Sequence, residues 1–161
     1  MKRIFTIILF SAWLVFLSGV WAGCTDGSGP EPSGTLLQYQ GCKESKGGCE
    51  DCLEYSYDGQ KLILKHINAG FNCCPGHINA DIAVNGRIIS ITESEQEAGC
   101  FCLCLFDLDI EVSNLKPGEY TILVYEPYID DEDEPLEFTV QLISGTSGRY
   151  CLQRNYYPWT D

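Results

Sequence analysis

Basic side chains are scarce: 10 lysines and arginines stand against 23 aspartates and glutamates, a formal charge of -13 over 161 residues. Sequence-independent binding to nucleic acid depends on cations that displace counterions from phosphates, so that class is excluded. From Leu36 onward no window of ten or more residues carries a 3.6-residue apolar stripe, which argues against helices in the folded part. There is no Gly-x-Ser-x-Gly, no His-Glu-x-x-His and no phosphate-cradling glycine loop, and His66 and His77 are the only histidines. No catalytic signature is present, and the expectation is a protein that is not an enzyme. An apolar fraction of 45% is too high for a disordered chain.

What the chain does have begins with an address. Met1 to Arg3 is a short basic start, and Ile4 to Leu17 (IFTIILFSAWLVFL) is an apolar run of the length of a secretory signal core. Val20-Trp21-Ala22-Gly23-Cys24 follows and resembles a bacterial lipobox, in which a Gly-Cys pair marks the cut and the cysteine becomes lipidated. Trp21 departs from the leucine preferred there. Val20-x-Ala22 also fits ordinary secretory cleavage, and an uncleaved anchor is the third option. The expected organisation is a signal peptide over 1–23, a Gly/Ser/Pro tether over 24–35 and a single domain over 36–161. Loss of Lys2 and Arg3 leaves 23 acidic against 8 basic residues, a formal -15. Lipid at Cys24 would place the domain at a membrane of the bacterial envelope. With Thr25 after that cysteine, resemblance to enterobacterial sorting favours the outer membrane.

The domain reads as strands. Glu54–Tyr57, Asp58-Gly59 and Gln60–Ile67 form an expected hairpin, and Ile78–Val84, Asn85-Gly86 and Arg87–Thr92 a second, each with a dipeptide suited to a type I′ turn. In the second, Ile82 is expected to face Ile89 and Ala80 to face Ile91. Cys100 to Val112 alternates as one long strand with Cys100, Cys102 and Cys104 on one face. Leu115-x-Pro117-Gly118-x-Tyr120 resembles the entry to an immunoglobulin-like strand whose tyrosine hydroxyl bonds back to the corner. With Leu136–Ile143 and Arg149–Gln153, the expectation is an all-β, immunoglobulin-like antiparallel β-sandwich of about seven to nine strands.

Besides Cys24 there are nine cysteines: Cys42, Cys49, Cys52, Cys73, Cys74, Cys100, Cys102, Cys104 and Cys151. In a small exported domain their default role is disulfide bonding. Same-face neighbours on one strand lie about 6.5–7 Å apart, too far to bridge, so Cys100, Cys102 and Cys104 should not pair with one another. Cys73 and Cys74 are expected to bond across to two of them. Cys42, Cys49 and Cys52 are expected to supply another bridge near the amino end, leaving Cys151 a remaining partner. The alternative is a thiolate site for zinc or copper built from Cys73, Cys74, Cys100, Cys102 and Cys104 with His77 or His66. Against it, only Cys49-x-x-Cys52 has knuckle spacing. That same pair is a weak redox motif, since no helix start follows to lower a thiol pKa.

Three further features have modest readings. Asp130–Glu134 offers five carboxylates but lacks the alternation of a calcium loop, so a solvated loop is expected. His66, in phase with Leu62 and Leu64, is expected to pack in the core. Tyr156-Tyr157-Pro158-Trp159 either caps the sandwich or presents aromatics to a protein or glycan partner. Finally, Leu64-x-His66-x-Asn68-x3-Asn72-Cys73-Cys74-Pro75, Cys100-x-Cys102-x-Cys104-Leu105-Phe106-Asp107-Leu108 and Leu115-x-Pro117-Gly118-x-Tyr120 together resemble a group of uncharacterised bacterial lipoproteins of β-sandwich type. The resemblance spans about Leu62 to Tyr125 and extends weakly to Cys151 and Trp159. It implies an envelope location and no assigned activity.

Overall fold

The computed structural model describes residues 29–43, 50–96, 99–130 and 132–160. Within them the chain is all-β, with nine strands in two packed sheets. The strands are β1 (Ser33–Lys43), β2 (Glu50–Tyr57), β3 (Leu62–Asn72), β4 (His77–Asn85), β5 (Ile88–Gln96), β6 (Leu103–Ser113), β7 (Gly118–Tyr125), β8 (Leu136–Leu142) and β9 (Ser147–Gln153). One sheet runs β1-β6-β3-β2-β9 and the other β4-β5-β7-β8. The expected sandwich is present, with one departure from a purely antiparallel arrangement: β5 and β7 pair in parallel. The chain changes sheet between β5, β6 and β7, and that crossover brings β7 back beside β5 in the same direction. The signal segment and Cys24 lie outside the described residues. The tether ends earlier than expected, because Ser33 and Gly34 already pair with Ser113 and Val112 as part of β1.

Period-two alternation puts one face of each strand inside. Leu53 and Tyr57 of β2, Leu62 and Leu64 of β3, Ile89 and Ile91 of β5, Ile110 and Val112 of β6 and Ile122 and Val124 of β7 form one continuous buried cluster. Phe71, Phe106, Leu108, Ala69 and Ile78 form a second. At about 25 cal/mol per Å2 of buried apolar surface, these two clusters are the main favourable term in folding.

Both hairpins occur, but their turns are displaced from the expected dipeptides. Tyr57 pairs with Leu62, so the first loop has four residues, closed by Asp58 Oδ1 accepting from the backbone of Gln60 (2.8 Å) and Lys61 (2.7 Å). In the second, Asn85 pairs with Ile88 and the loop is Gly86-Arg87, with positive φ (63°) at Gly86. Type I′ needs positive φ at both residues of a two-residue loop; Arg87 does not have it and the first loop is longer, so the I′ expectation fails at both sites. The partners accordingly shift by two: Ile82 faces Ile91, and Ala80 faces Glu93. A two-residue slip preserves the alternation, which is why the buried face was legible while the register was not.

The corner before β7 is as expected. Tyr120 donates its hydroxyl to Lys116 O at 3.0 Å, and Tyr57 donates to Leu115 O at 2.8 Å from the opposite sheet. The aromatic tail caps rather than displays: Trp159 is buried and donates Nε1 to Asn68 O at 2.8 Å, while Tyr157 remains half exposed.

Candidate functional site: a buried ionic cluster beside a disulfide frame

The cysteines pair in four bonds: Cys42–Cys104, Cys52–Cys151, Cys73–Cys102 and Cys74–Cys100. The vicinal cysteines bond across to two of the Cys-x-Cys-x-Cys sulfurs, as the spacing implied. The expected bridge among Cys42, Cys49 and Cys52 is not what forms for two of its members. Cys42 on β1 reaches Cys104 because β1 lies beside β6, and Cys52 on β2 faces Cys151 on β9 in direct register. Cys49 lies outside the described residues. Cys100 and Cys102 precede β6 instead of belonging to it, so the expected three-cysteine strand face shortens to Cys104.

These bonds also dispose of the sulfur atoms that a thiolate site would need. Sulfurs of Cys73, Cys74 and Cys100 lie within 4.8 Å of one another, but as members of two disulfides. His77 is exposed at the start of β4, in edge contact with Tyr39 at 6.2 Å, and Cys104 is committed to Cys42. The residues of the sulfur alternative are not brought together as one reduced ligand set.

The double clamp of Cys73–Cys102 and Cys74–Cys100 has a consequence for the residue inside it. Phe101 is fully exposed, while Asn72 ties the same loop by donating Nδ2 to Cys100 O at 2.7 Å and accepting from Cys74 N at 2.9 Å. An aromatic ring is thus presented on a loop fixed at both ends.

The unexpected site is inside. His66 is 0% exposed and lies between two carboxylates: Nδ1 is 2.7 Å from Glu93 Oε1 and Nε2 is 2.7 Å from Asp51 Oδ1. Arg154 donates Nε (3.0 Å) and Nη2 (2.7 Å) to Asp51 Oδ2, Nη2 to Glu126 Oε2 (3.1 Å) and Nη1 to Glu134 O (2.6 Å). Its guanidinium also lies 5.9 Å from the Trp159 ring. Glu93 Oε2 and Glu126 Oε1 have no hydrogen-bond partner. The acidic loop therefore contributes a backbone carbonyl to this network, not a carboxylate cage. Among the described residues, no trio of its carboxylates converges.

Each member continues the inward phase of its strand. Asp51 precedes Leu53, Tyr55 and Tyr57; His66 follows Leu62 and Leu64; Glu93 follows Ile89 and Ile91; Glu126 follows Ile122 and Val124; Arg154 follows Tyr150 and Leu152. Charged residues in the inward phase, on β2, β3 and β5 and just after β7 and β9, are the signal missed for all but His66, and His66 proves to be a packed core residue held between two carboxylates.

Burial alone would push the His66 imidazole toward neutrality, but the charges of Glu93 and Asp51 and their hydrogen bonds outweigh it and hold its pKa well above the usual value. Burial would raise Asp51, yet the adjacent His66 and Arg154 keep it below the ordinary carboxylate range. Glu126 goes the other way: burial, then repulsion from Asp51, raise it well above that range, and His66 and Arg154 only partly offset this. Charge is thereby redistributed so that few unpaired ions remain in a space closed to water.

Fold and site together define an all-β, disulfide-framed sandwich with a buried ionic cluster. Neither a family model, a curated protein nor a solved structure matches the chain.

Proposed function

We propose that the protein is an exported, lipid-anchored β-sandwich that acts as a binding or structural module of the bacterial cell envelope and not as an enzyme. The observation that carries this reading is the set of four disulfides, which engages eight cysteines in a domain of this size. Such bonds persist in oxidising compartments. The signal-like segment ending at Cys24 supports the same route, with the outer membrane favoured as the destination. The rigidly mounted Phe101 favours binding to a protein or glycan partner over a passive structural role. The thiolate-metal reading requires these sulfurs reduced.

Fractionation of the native host tests the proposal. The protein is expected in the membrane fraction, extracted by detergent, and a Cys24→Ala variant is expected to lose lipid and change fraction. Recovery of wild type as an uncleaved soluble chain in the cytosol would overturn it.

A further inference from the structure

The buried cluster contains a donor set that internal hydrogen bonding leaves incomplete. Glu126 Oε1 has no partner, its side chain is 1% exposed, and it lies 3.8 Å from His66 Nε2. Asp51 Oδ1 approaches the same nitrogen at 2.7 Å. These three atoms all lie within 4.8 Å of one another. They converge from β2, β3 and the residue after β7, while their companion atoms are engaged elsewhere. Arg154 takes Asp51 Oδ2 and Glu126 Oε2, and Glu93 Oε1 takes His66 Nδ1. A histidine whose far nitrogen is held by a carboxylate, with its near nitrogen facing two carboxylate oxygens, has the form of a metal ligand with its orienting partner.

The geometry points to a divalent transition-metal site of the zinc class, ligated by Asp51 Oδ1, His66 Nε2 and Glu126 Oε1, with Glu93 as a positioning residue. Metal–ligand bonds of about 2.0–2.2 Å place two ligand atoms of one ion roughly 3–3.5 Å apart. The histidine–Glu126 spacing already allows this, and Asp51 needs to withdraw by only roughly half an ångström by the same bond lengths. Charge agrees with the geometry. With the protons of His66 and Glu126 displaced on binding, Asp51, Glu93 and Glu126 with Arg154 sum to two negative charges around a neutral imidazole, and one dication cancels them. Mixed nitrogen and oxygen donors suit zinc and its neighbours, whereas calcium takes oxygens in larger number. No cysteine takes part, so the site is separate from any sulfur chemistry, and it does not rest on the envelope reading.

The purified, oxidised protein, stripped with a chelator, tests this on zinc chloride added either to the folded state or during refolding, with bound metal counted by elemental mass spectrometry after gel filtration. One zinc per chain is expected from at least one of the two routes. Glu93→Gln is expected to weaken zinc affinity by about 10- to 100-fold through loss of the orienting carboxylate. Glu126→Gln, which preserves side-chain shape, is expected to abolish stoichiometric binding while the native circular dichroism is retained. Should that variant fail to fold, the cobalt-loaded wild type decides, since nitrogen and oxygen ligation gives d–d absorption without a thiolate charge-transfer band. Absence of bound zinc by both routes, equal affinity in wild type and folded Glu126→Gln, or a thiolate band in the cobalt protein would each overturn the proposal.

Discussion

Replacing Arg154 by methionine removes the cation on which the buried cluster converges while keeping much of the side chain's length. The guanidinium is 3% exposed and makes four hydrogen bonds: two to Asp51 Oδ2, one to Glu126 Oε2 and one to Glu134 O. Without it, two buried carboxylates face each other with only His66 as a partner, and a backbone carbonyl loses its donor. Breaking a buried ion pair from one side costs about 3–5 kcal/mol, because the partner's charge stays behind in a low dielectric. Set against a domain stability of about 5–15 kcal/mol, that is a large fraction. Urea unfolding of oxidised protein in a chelating buffer reads the loss as a lower midpoint at constant slope. A second variant isolates the electrostatic part. Glu126→Gln alters one of the two carboxyl groups that the guanidinium serves, so Arg154→Met should cost less in that background, with a coupling of about 0.5–3 kcal/mol. A loss below about 1 kcal/mol for Arg154→Met, or strict additivity with Glu126→Gln, would refute the view that Arg154 neutralises a water-free site.

Other consequences follow from single features. Tyr120→Phe deletes the corner hydrogen bond to Lys116 O and should cost about 0.5–1.5 kcal/mol in the same assay. Removing Cys52–Cys151, which spans 99 residues, should destabilise more than removing Cys73–Cys102, which spans 29. Cys74–Cys100 already closes nearly the same loop, so Cys73→Ala/Cys102→Ala should cost well below the about 3 kcal/mol of an isolated bond, by calorimetry of both double variants. The Asp58 carboxyl is held below its ordinary pKa by backbone N–H bonds from Lys61 and Gln60. A depressed folded pKa gives stability that is present above the ordinary value of 3.8 and lost as pH falls through the folded one. Asp58→Asn should therefore flatten the acid limb of the midpoint-versus-pH curve, leaving neutral pH unaffected in slope. Phe101→Ala should change stability by no more than about 0.5 kcal/mol, since its ring touches solvent only.

The fold class was legible because alternation with period two is a local property, and it survives errors of turn placement. Ile82 and Ile91 share the inner face whether the loop is Asn85-Gly86 or Gly86-Arg87. The order of strands was not legible, and the errors of disulfide partner descend from it. Cys42 bonds Cys104 because β1 borders β6, and Cys52 bonds Cys151 because β2 borders β9; neither adjacency leaves a mark in the intervening sequence. The parallel pairing of β5 and β7 is invisible for the same reason, since a buried strand shows the same pattern in either direction. The ionic cluster lay midway. Glu93 behind Ile89 and Ile91, Glu126 behind Ile122 and Val124, and Arg154 behind Leu152 each mark a charge at a core position. Only the sheet packing shows that these three meet Asp51 and His66 in one place.

Intact-mass analysis of the protein isolated from its native membrane fraction, alkylated before and after reduction, reads export, lipidation and sulfur oxidation in one measurement. The expected result is a chain beginning at Cys24 with added lipid mass, and eight cysteines, those of the four disulfides, that take up alkylating agent only after reduction. A chain that still carries Met1 to Gly23 and whose cysteines all react without reductant would contradict it.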